Sequence, residues 1–170
     1  MRKKILVIFT GGTIGSTIDK NVINVSDDAK HLLIQMYKEL PEVQQVDFDI
    51  ISPINILSEN VTIEDWIKIV DSIKEQNLSE YSGIVITYGT DTLGYFANIL
   101  KYMLHKMEIP VMIVSSNKVL THPGANGLDN FKMAVDFILS EKDGSNSDSS
   151  SQTRRHICSI SKYRWSCLCS

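Results

Sequence analysis

Residues 5–16, with the sequence ILVIFTGGTIGS, run from a continuously apolar segment directly into a turn of glycines and hydroxyl groups. An uninterrupted apolar run rich in β-branched residues is typical of a strand that is buried on both faces of a parallel sheet. The paired glycines Gly11 and Gly12 allow the backbone to turn tightly where the strand ends and to approach a ligand closely. The segment therefore predicts a buried strand that delivers hydroxyl side chains to one edge of a sheet.

Similar β-branched segments recur along the chain and alternate with amphipathic helical patterns. Further strands are predicted at residues 46–51, 83–87 and 111–114, and helices at residues 29–40, 62–75 and 91–104. Strands and helices in alternation form right-handed βαβ units. We therefore predict an α/β fold, a doubly wound and mostly parallel sheet with flanking helices, in which ligands bind beyond the carboxyl ends of the strands.

Two of these helices carry signals at their first turn. Thr62 precedes Asp65 by three positions, an arrangement in which a threonine caps the helix and an acidic side chain complements its dipole. Asp91 and Thr92 stand in a similar position at the start of the helix that runs to Leu104. Both starts are predicted to be capped.

The composition limits the possible classes of function. A chain of 170 residues that is 43% hydrophobic is large enough for one globular core. Its net charge of −3 argues against a nucleic-acid partner, which would require a basic surface. The apolar run 5–9 is too short for a signal peptide or a membrane span, so we expect a cytoplasmic protein with no membrane partner. The 3 cysteines have a spacing typical of neither a disulfide framework nor a zinc site.

An abrupt change of composition occurs near Glu141. Residues 142–170 are rich in serine, arginine and cysteine, whereas residues 1–141 carry the periodic apolar pattern. We therefore divide the chain into an α/β domain, residues 1–141, and a tail, residues 142–170. Two interpretations of the tail stay open, a disordered segment or a segment translated out of frame.

A second hydroxyl-rich turn, TYGTDT at residues 87–92, ends the strand at 83–87. A threonine and an aspartate at a helix start are, by themselves, more often a cap than a catalytic pair. Both turns follow strands that should be neighbours, however, so Thr13, Thr90 and Asp91 can converge at the carboxyl edge of the sheet. Nucleotide binding is the weaker interpretation because the glycine spacing fits neither the dinucleotide-binding nor the P-loop pattern.

The segments Thr10-Gly11-Gly12-Thr13-Ile14 and Gly89-Thr90-Asp91-Thr92 are similar to the two signature segments of the bacterial L-asparaginases. The resemblance extends from about Lys3 to about Leu139. It implies the amino-terminal α/β domain of that family and the hydrolysis of L-asparagine to L-aspartate and ammonia. It implies no metal and no organic cofactor, and a homo-oligomer for the full-length family.

The resemblance also implies three catalytic residues. Thr13 would attack the side-chain amide carbon and form an acyl-enzyme, which water then hydrolyses. Thr90 would lie on the other side of the substrate and, with Asp91, would pair with an activating lysine.

Five further positions would bind the substrate by the same resemblance: Gly12, Ser58, Glu59, Gly89 and Ser116. The serine at 58 and the glutamate at 59, together with the catalytic aspartate, would hold the amino and carboxylate groups of the amino acid. Backbone N–H groups around the glycine at 89 and at the turn of the serine at 116 would stabilise the oxyanion.

The sequence departs from the family pattern in ways that bear on catalysis. Ile23 stands where the family places a tyrosine beside the nucleophile, and Tyr88 replaces the usual histidine before the Gly-Thr-Asp segment. The segment with the activating lysine has no match, and Lys118 belongs to a different loop. The smaller carboxyl-terminal domain also has no match. We therefore expect a truncated chain with poor solubility and negligible turnover.

Two alternative functions stay open. A glutaminase, or the ammonia-releasing subunit of a tRNA-dependent amidotransferase, would be marked by an extra domain before the first strand. Met1 directly precedes that strand, so we expect this alternative less than an asparaginase. A non-catalytic module that holds a small amino acid between Thr13, Ser58 and Asp91 would bind its ligand without hydrolysis.

Overall fold

The computed structural model describes residues 3–19, 22–25, 28–143, 157–161 and 164–167. The elements are β1 (Lys3–Phe9), β2 (Ser16–Asp19), β3 (Val22–Val25), α1 (Asp28–Glu39), β4 (Val46–Ile51), α2 (Ile63–Lys74), β5 (Gly83–Thr87), α3 (Leu93–Met103), β6 (Val111–Val114), α4 (Gly127–Asp143), β7 (Ile157–Ser161) and β8 (Arg164–Cys167). The four predicted strands are present, and the three predicted helices begin and end within two residues of their expected bounds. None of the described helices is long and apolar enough to cross a membrane.

The main sheet has the strand order β4-β1-β5-β6-β7-β8. The pairs β1–β4, β1–β5, β5–β6 and β6–β7 are parallel, and β8 is antiparallel to β7. From β1 the chain goes outward to β4 on one side and then returns to β5 and β6 on the other side. This reversal makes the carboxyl ends of β1 and β5 the place where a ligand is expected in a doubly wound sheet.

Helices cover both faces of this sheet, which confirms the predicted architecture. α1 and α4 pack on one face, where Tyr37 and Phe131 meet edge to face at 5.6 Å. α2 and α3 pack on the opposite face. Strand β1 sends Ile5, Val7 and Phe9 to the first core and Leu6 and Ile8 to the second. Both faces of β1 are therefore buried from Ile5 to Phe9, and its polar residues Lys3 and Lys4 stand at the half-exposed start of the strand.

The start of α2 has the capping arrangement that the sequence predicts. The Thr62 hydroxyl accepts a hydrogen bond from the Asp65 backbone N–H, and the Asp65 carboxylate accepts one from the Thr62 backbone N–H at 3.1 Å. Lys68 adds an ion pair to Asp65 at 3.0 Å. This reciprocal cap fixes the start of α2, which follows the loop at residues 52–62.

Three parts of the fold were not predicted as regular structure: helix α4, the pair of strands β2 and β3, and the strands β7 and β8. Strands β2 and β3, which follow the first turn, pair antiparallel, with Ile18 opposite Ile23. In the segment expected as a tail, β7 joins the sheet in register from Val111↔Ile157 to Val114↔Ile160. The edge of β6 offers unpaired backbone N–H and C=O groups, and an extended segment that satisfies them need not show a strong apolar pattern. The boundary at residue 141 stays a prediction. Apart from the end of α4 and the strands β7 and β8, the tail lies outside the described residues.

The two-sided burial of β1 leads to a stability test. Leu6 is 0% exposed, so we expect Leu6→Ala to lower the free energy of unfolding by about 2–5 kcal/mol through lost burial and an unfilled cavity. The matched control is Ile63→Ala on α2, where the side chain is 66% exposed and the expected change is within about 0.5 kcal/mol. Urea denaturation followed by circular dichroism measures both. Equal losses in the two variants would contradict the described core.

Candidate active site

The loop that leaves β1 is held in place by backbone contacts. Gly11 and Gly12 have φ of +101° and +70°, a region that side chains rarely adopt. Gly11 forms a parallel bridge with Ile56, and the Gly12 N–H donates to Ile56 O at 3.2 Å. The Thr10 hydroxyl donates to Thr87 O at 2.7 Å, which ties the ends of β1 and β5 together. The loop is therefore fixed to both neighbouring segments.

The first turn and the second turn touch directly. A Cβ placed on Gly12 would lie 2.7 Å from the nitrogen of Gly89, and a Cβ on Gly89 would overlap the side chain of Ser58. Three chain segments, residues 10–13, 56–60 and 88–91, thus meet with glycine at each point of closest approach. This agrees with the sequence argument that both turns lie at the carboxyl edge of neighbouring strands.

Ser58 and Asp91 form the best-defined polar contact of the site. The Ser58 hydroxyl donates to the Asp91 carboxylate at 2.7 Å and accepts from the Asp91 backbone N–H at 3.3 Å. Ser58 is 3% exposed, whereas Asp91 faces solvent. The contact therefore holds an accessible carboxylate in a fixed orientation, which suits a cationic group on a ligand.

The remaining predicted site residues are distributed around this contact. Thr13 is half-buried and opens a short 3-10 turn, residues 13–15, directly after Gly12. Thr90 is exposed and stands between Gly89 and the aspartate at 91. Glu59 is exposed and belongs to the 3-10 turn Ser58–Asn60. Thr13 directly follows Gly12, and Thr90 directly follows Gly89. The contact between the two glycines therefore brings together the two chain segments that carry the threonines.

Ser116 lies one strand further along the sheet. It follows β6, whose end is joined to the second turn by a hydrogen bond from the Tyr88 N–H to Val114 O at 2.8 Å. The Ser116 side chain is 1% exposed, and its hydroxyl donates to Lys118 O within its own loop. The hydroxyl is thus engaged away from the other candidate residues, and a role for the backbone N–H groups of this turn stays a prediction.

Lys118 has a different environment from that of a catalytic partner of Asp91. Its side chain is exposed, and its Nζ lies 3.4 Å from His122 Nε2. Within the described residues, the hydrogen-bond partner of the Asp91 carboxylate is Ser58. The placement of Lys118 agrees with the expectation that it belongs to a different loop.

The expected cap of α3 takes another form. Thr92 occupies the N-cap position, but its side chain makes no cap hydrogen bond. Its hydroxyl donates instead to Ser58 O at 3.1 Å and lies 2.9 Å from the hydroxyl of Tyr88. The predicted cap at Thr92 is therefore wrong, because a backbone carbonyl from another segment lies within reach of the hydroxyl.

Tyr88 is a site-supporting residue whose contacts the sequence did not reveal. It is 1% exposed, and its ring stacks on Phe96 at a centroid distance of 4.4 Å. Burial raises the pKa of the Tyr88 phenol, so the group remains a neutral hydrogen-bond donor. Trp66 Nε1 donates a hydrogen bond to the Tyr88 hydroxyl at 2.8 Å. In the sequence Trp66 is only an apolar position of α2, and no spacing rule assigns its indole a partner.

Comparison with known proteins identifies related chains. A family model described as "Asparaginase, N-terminal" matches residues 4–147. A subunit of the glutamyl-tRNA(Gln) amidotransferase of Saccharolobus solfataricus is 34% identical over 135 residues, which are 79% of this chain and 30% of that protein. The present chain thus spans about 30% of the length of this curated relative.

The solved structures to which the chain is similar include L-asparaginases. The thermostable L-asparaginase from Thermococcus kodakarensis superposes with a TM-score of 0.65 at 30% identity, covering 81% of this chain and 41% of that chain. L-asparaginase I from Vibrio cholerae superposes with a TM-score of 0.69 at 26% identity, covering 97% and 46%, respectively. The matched region is less than half of each of these structures.

The close approach of the two turns can be tested with a glycine pair. An alanine at position 12 would have to adopt a left-handed φ, which costs about 1–3 kcal/mol, and its Cβ would overlap the Gly89 backbone. We therefore expect Gly12→Ala to lower the free energy of unfolding by at least that amount. Nothing lies within 4 Å of a Cβ at Gly94 in the first turn of α3. Gly94→Ala should therefore be neutral or stabilising by up to about 1 kcal/mol. Thermal unfolding compares the variants, and an unchanged Gly12→Ala protein would refute the contact.

Proposed function

The chain belongs to the asparaginase family, in the region of its amino-terminal domain, and from this premise we propose that the carboxyl edge of β1 and β5 is an L-asparagine amidohydrolase site. Thr13 is the nucleophile of this proposal, and Thr90 and Asp91 are the facing pair. The observation that carries the proposal is the contact between the two turns, with Gly12 against Gly89. It supports a site in which a small amino acid lies between the two threonines.

The proposed reaction follows from the chemistry of a threonine hydroxyl. Thr13 Oγ1 loses its proton as it bonds to the side-chain amide carbon of L-asparagine, the C–N bond breaks, and the nitrogen leaves as ammonia after gaining that proton. Water then cleaves the resulting ester: its hydroxyl goes to the acyl carbon, which yields L-aspartate, and its other proton restores the threonine hydroxyl. A threonine hydroxyl attacks only slowly until a base removes its proton, so the rate depends on the group that accepts it.

Charge supports the assignment of substrate-binding residues. The ammonium group of an amino acid is attracted to carboxylates, and the exposed Asp91 and Glu59 lie on two adjacent segments of the site. Ser58 holds Asp91 through a 2.7 Å hydrogen bond, so the carboxylate loses little freedom when it meets the ligand. In the proposal, backbone N–H groups of Gly89 and of the turn at Ser116 face the developing oxyanion, and Gly12 closes the pocket floor.

A second candidate function is an amide-hydrolysing subunit of a tRNA-dependent amidotransferase. The observation that favours it is the sequence relationship to glutamyl-tRNA(Gln) amidotransferase subunits of Saccharolobus solfataricus and Thermoplasma acidophilum, at 34% and 30% identity. We take the amide donor of this candidate to be glutamine, whose side chain is one methylene longer than that of asparagine. The two candidates share the same nucleophile and differ in the depth of pocket that they require.

Ligand binding provides the direct test of the proposed substrate site. L-Aspartate carries the α-ammonium and α-carboxylate groups of the substrate, and isothermal titration calorimetry measures its Kd. We expect Asp91→Asn to raise this Kd about tenfold or more, because a charge-assisted contact is lost. Asp71→Asn is the matched control, since Asp71 lies on α2, pairs with Lys74 at 3.7 Å and should leave the Kd unchanged. Equal affinities of the parent and Asp91→Asn, or a parent that binds no L-aspartate, would contradict the proposal.

Ammonia release tests whether the chain turns over an amide substrate without the expected lysine. We expect release from L-asparagine by the purified chain to stay near background, because the described partner of Asp91 is Ser58 and not a lysine. Thr13→Ala should be indistinguishable from the parent in this assay. Release by the parent that disappears in Thr13→Ala would show that Thr13 acts without the expected lysine. A higher rate with L-glutamine than with L-asparagine would favour the amidotransferase-type function.

A further inference from the structure

A chain of hydrogen bonds runs beneath the proposed site, from helix α2 to the substrate loop. Trp66 Nε1 donates to the hydroxyl of Tyr88 at 2.8 Å. That hydroxyl lies 2.9 Å from Thr92 Oγ1, which in turn donates to the backbone oxygen of Ser58 at 3.1 Å. These four residues connect α2, the second turn, the start of α3 and the loop at residue 58, and we refer to them as the relay.

The relay has only one possible direction of donation. An indole N–H is a donor and never an acceptor, so Trp66 fixes Tyr88 as the acceptor of the first bond. The backbone oxygen of Ser58 is only an acceptor, so the single proton of Thr92 must point toward it. The Tyr88 proton is then the one shared with Thr92 Oγ1. The donor at one end, the Trp66 indole, and the acceptor at the other end, the Ser58 carbonyl, together determine the donor and the acceptor of every hydrogen bond in the relay.

The residue at the end of the relay has little freedom to move. The Ser58 carbonyl accepts a hydrogen bond from the Thr92 hydroxyl, and the Ser58 hydroxyl donates one to the Asp91 carboxylate at 2.7 Å. On its other side, Ser58 packs so closely on Gly89 that a Cβ there would overlap it. A shift of Ser58 would therefore be passed on to the carboxylate of Asp91 and to the backbone of Gly89.

We propose that Tyr88 is a positioning residue that fixes Ser58, and through it the Asp91 carboxylate, by way of the Thr92 hydroxyl. Tyr88 makes no contact with the ligand in this arrangement. Its effect on ligand affinity rests on the proposed function, whereas its effect on the order of the Ser58–Asp91 contact does not. The hydroxyl of Thr92 is used for this purpose instead of capping α3.

The first experiment compares Tyr88→Phe with a matched phenol variant elsewhere in the fold. Tyr88→Phe keeps the ring that stacks on Phe96 and removes only the hydroxyl. Tyr81→Phe removes another hydroxyl of a buried tyrosine, which donates to Asp49 at 2.7 Å outside the relay. Both variants should lose some stability, so a difference between them is not a general effect of removing a buried phenol.

Hydrogen exchange measured by NMR at single N–H groups distinguishes a local effect at Ser58 from a general loss of stability, because Tyr81→Phe shows the effect of stability loss alone. The Asp91 amide donates to Ser58 Oγ at 3.3 Å, so its exchange reports on the position of Ser58. In Tyr88→Phe we expect the Asp91 amide and the Trp66 indole N–H to exchange roughly tenfold faster or more. In Tyr81→Phe both rates should match the parent. Unchanged rates in Tyr88→Phe would overturn the proposal.

A second pair of variants covers the case in which Tyr88→Phe fails to fold. Thr92→Val has the same shape without the hydroxyl, and Thr92→Ser keeps it. Thr92→Val should speed Asp91 exchange and raise the Kd for L-aspartate roughly tenfold, the equivalent of one misplaced charge-assisted contact, whereas Thr92→Ser should keep parent values. Equal behaviour of the two variants would overturn the relay. A parent that binds no L-aspartate would instead count against the proposed function, and the exchange rates would still decide the relay.

Discussion

The backbones of Gly12 and Gly89 pass each other with no room for a Cβ between them, and the candidate site is built around this contact. Neighbouring parallel strands lie about 4.8 Å apart, so loops that leave adjacent strand ends in the same direction must pass at close range. Glycine at both positions allows this approach. Ser58 then packs against Gly89, and its hydrogen bond orients the carboxylate of Asp91 in the second turn. A single side chain at either glycine would separate the segments that form the site.

The sequence predicted the sheet well because β1 is buried on both faces. Such a strand has no polar alternation, and its uninterrupted apolar run sets it apart from an amphipathic helix. The helices were predicted from spacing, and the reciprocal cap of Thr62 and Asp65 is a local pattern that spans only four residues. Features that depend on residues within a single strand or a single turn of helix can thus be predicted from the sequence alone. The convergence of the two turns followed from strand adjacency, which is a topological rule rather than a local one.

The partners of individual hydroxyl groups were not predictable. Thr92 has the residue type and the position of a helix cap, yet its proton goes to a carbonyl 34 residues earlier in the chain. A hydroxyl donates to the best-placed acceptor, and that acceptor is defined only once distant segments have packed. Pairing of β7 with β6 escaped prediction for a related reason, since backbone groups at a sheet edge accept partners of many sequences. Contacts between segments that are far apart in the sequence leave no spacing pattern from which they could be predicted.

In the proposed site, recognition and activation depend on different groups. Asp91 is oriented by Ser58, and Ser58 is held by Thr92, so the groups assigned to the amino-acid ligand are ordered before it arrives. The Thr13 hydroxyl, by contrast, has no hydrogen-bond partner among the side chains that the structure describes. A hydroxyl without a base is a weak nucleophile, whatever the order of the residues around it. If the proposed function holds, affinity and rate respond to different parts of the fold, with affinity set at the edge of β1 and β5 and rate set by the group that accepts the threonine proton.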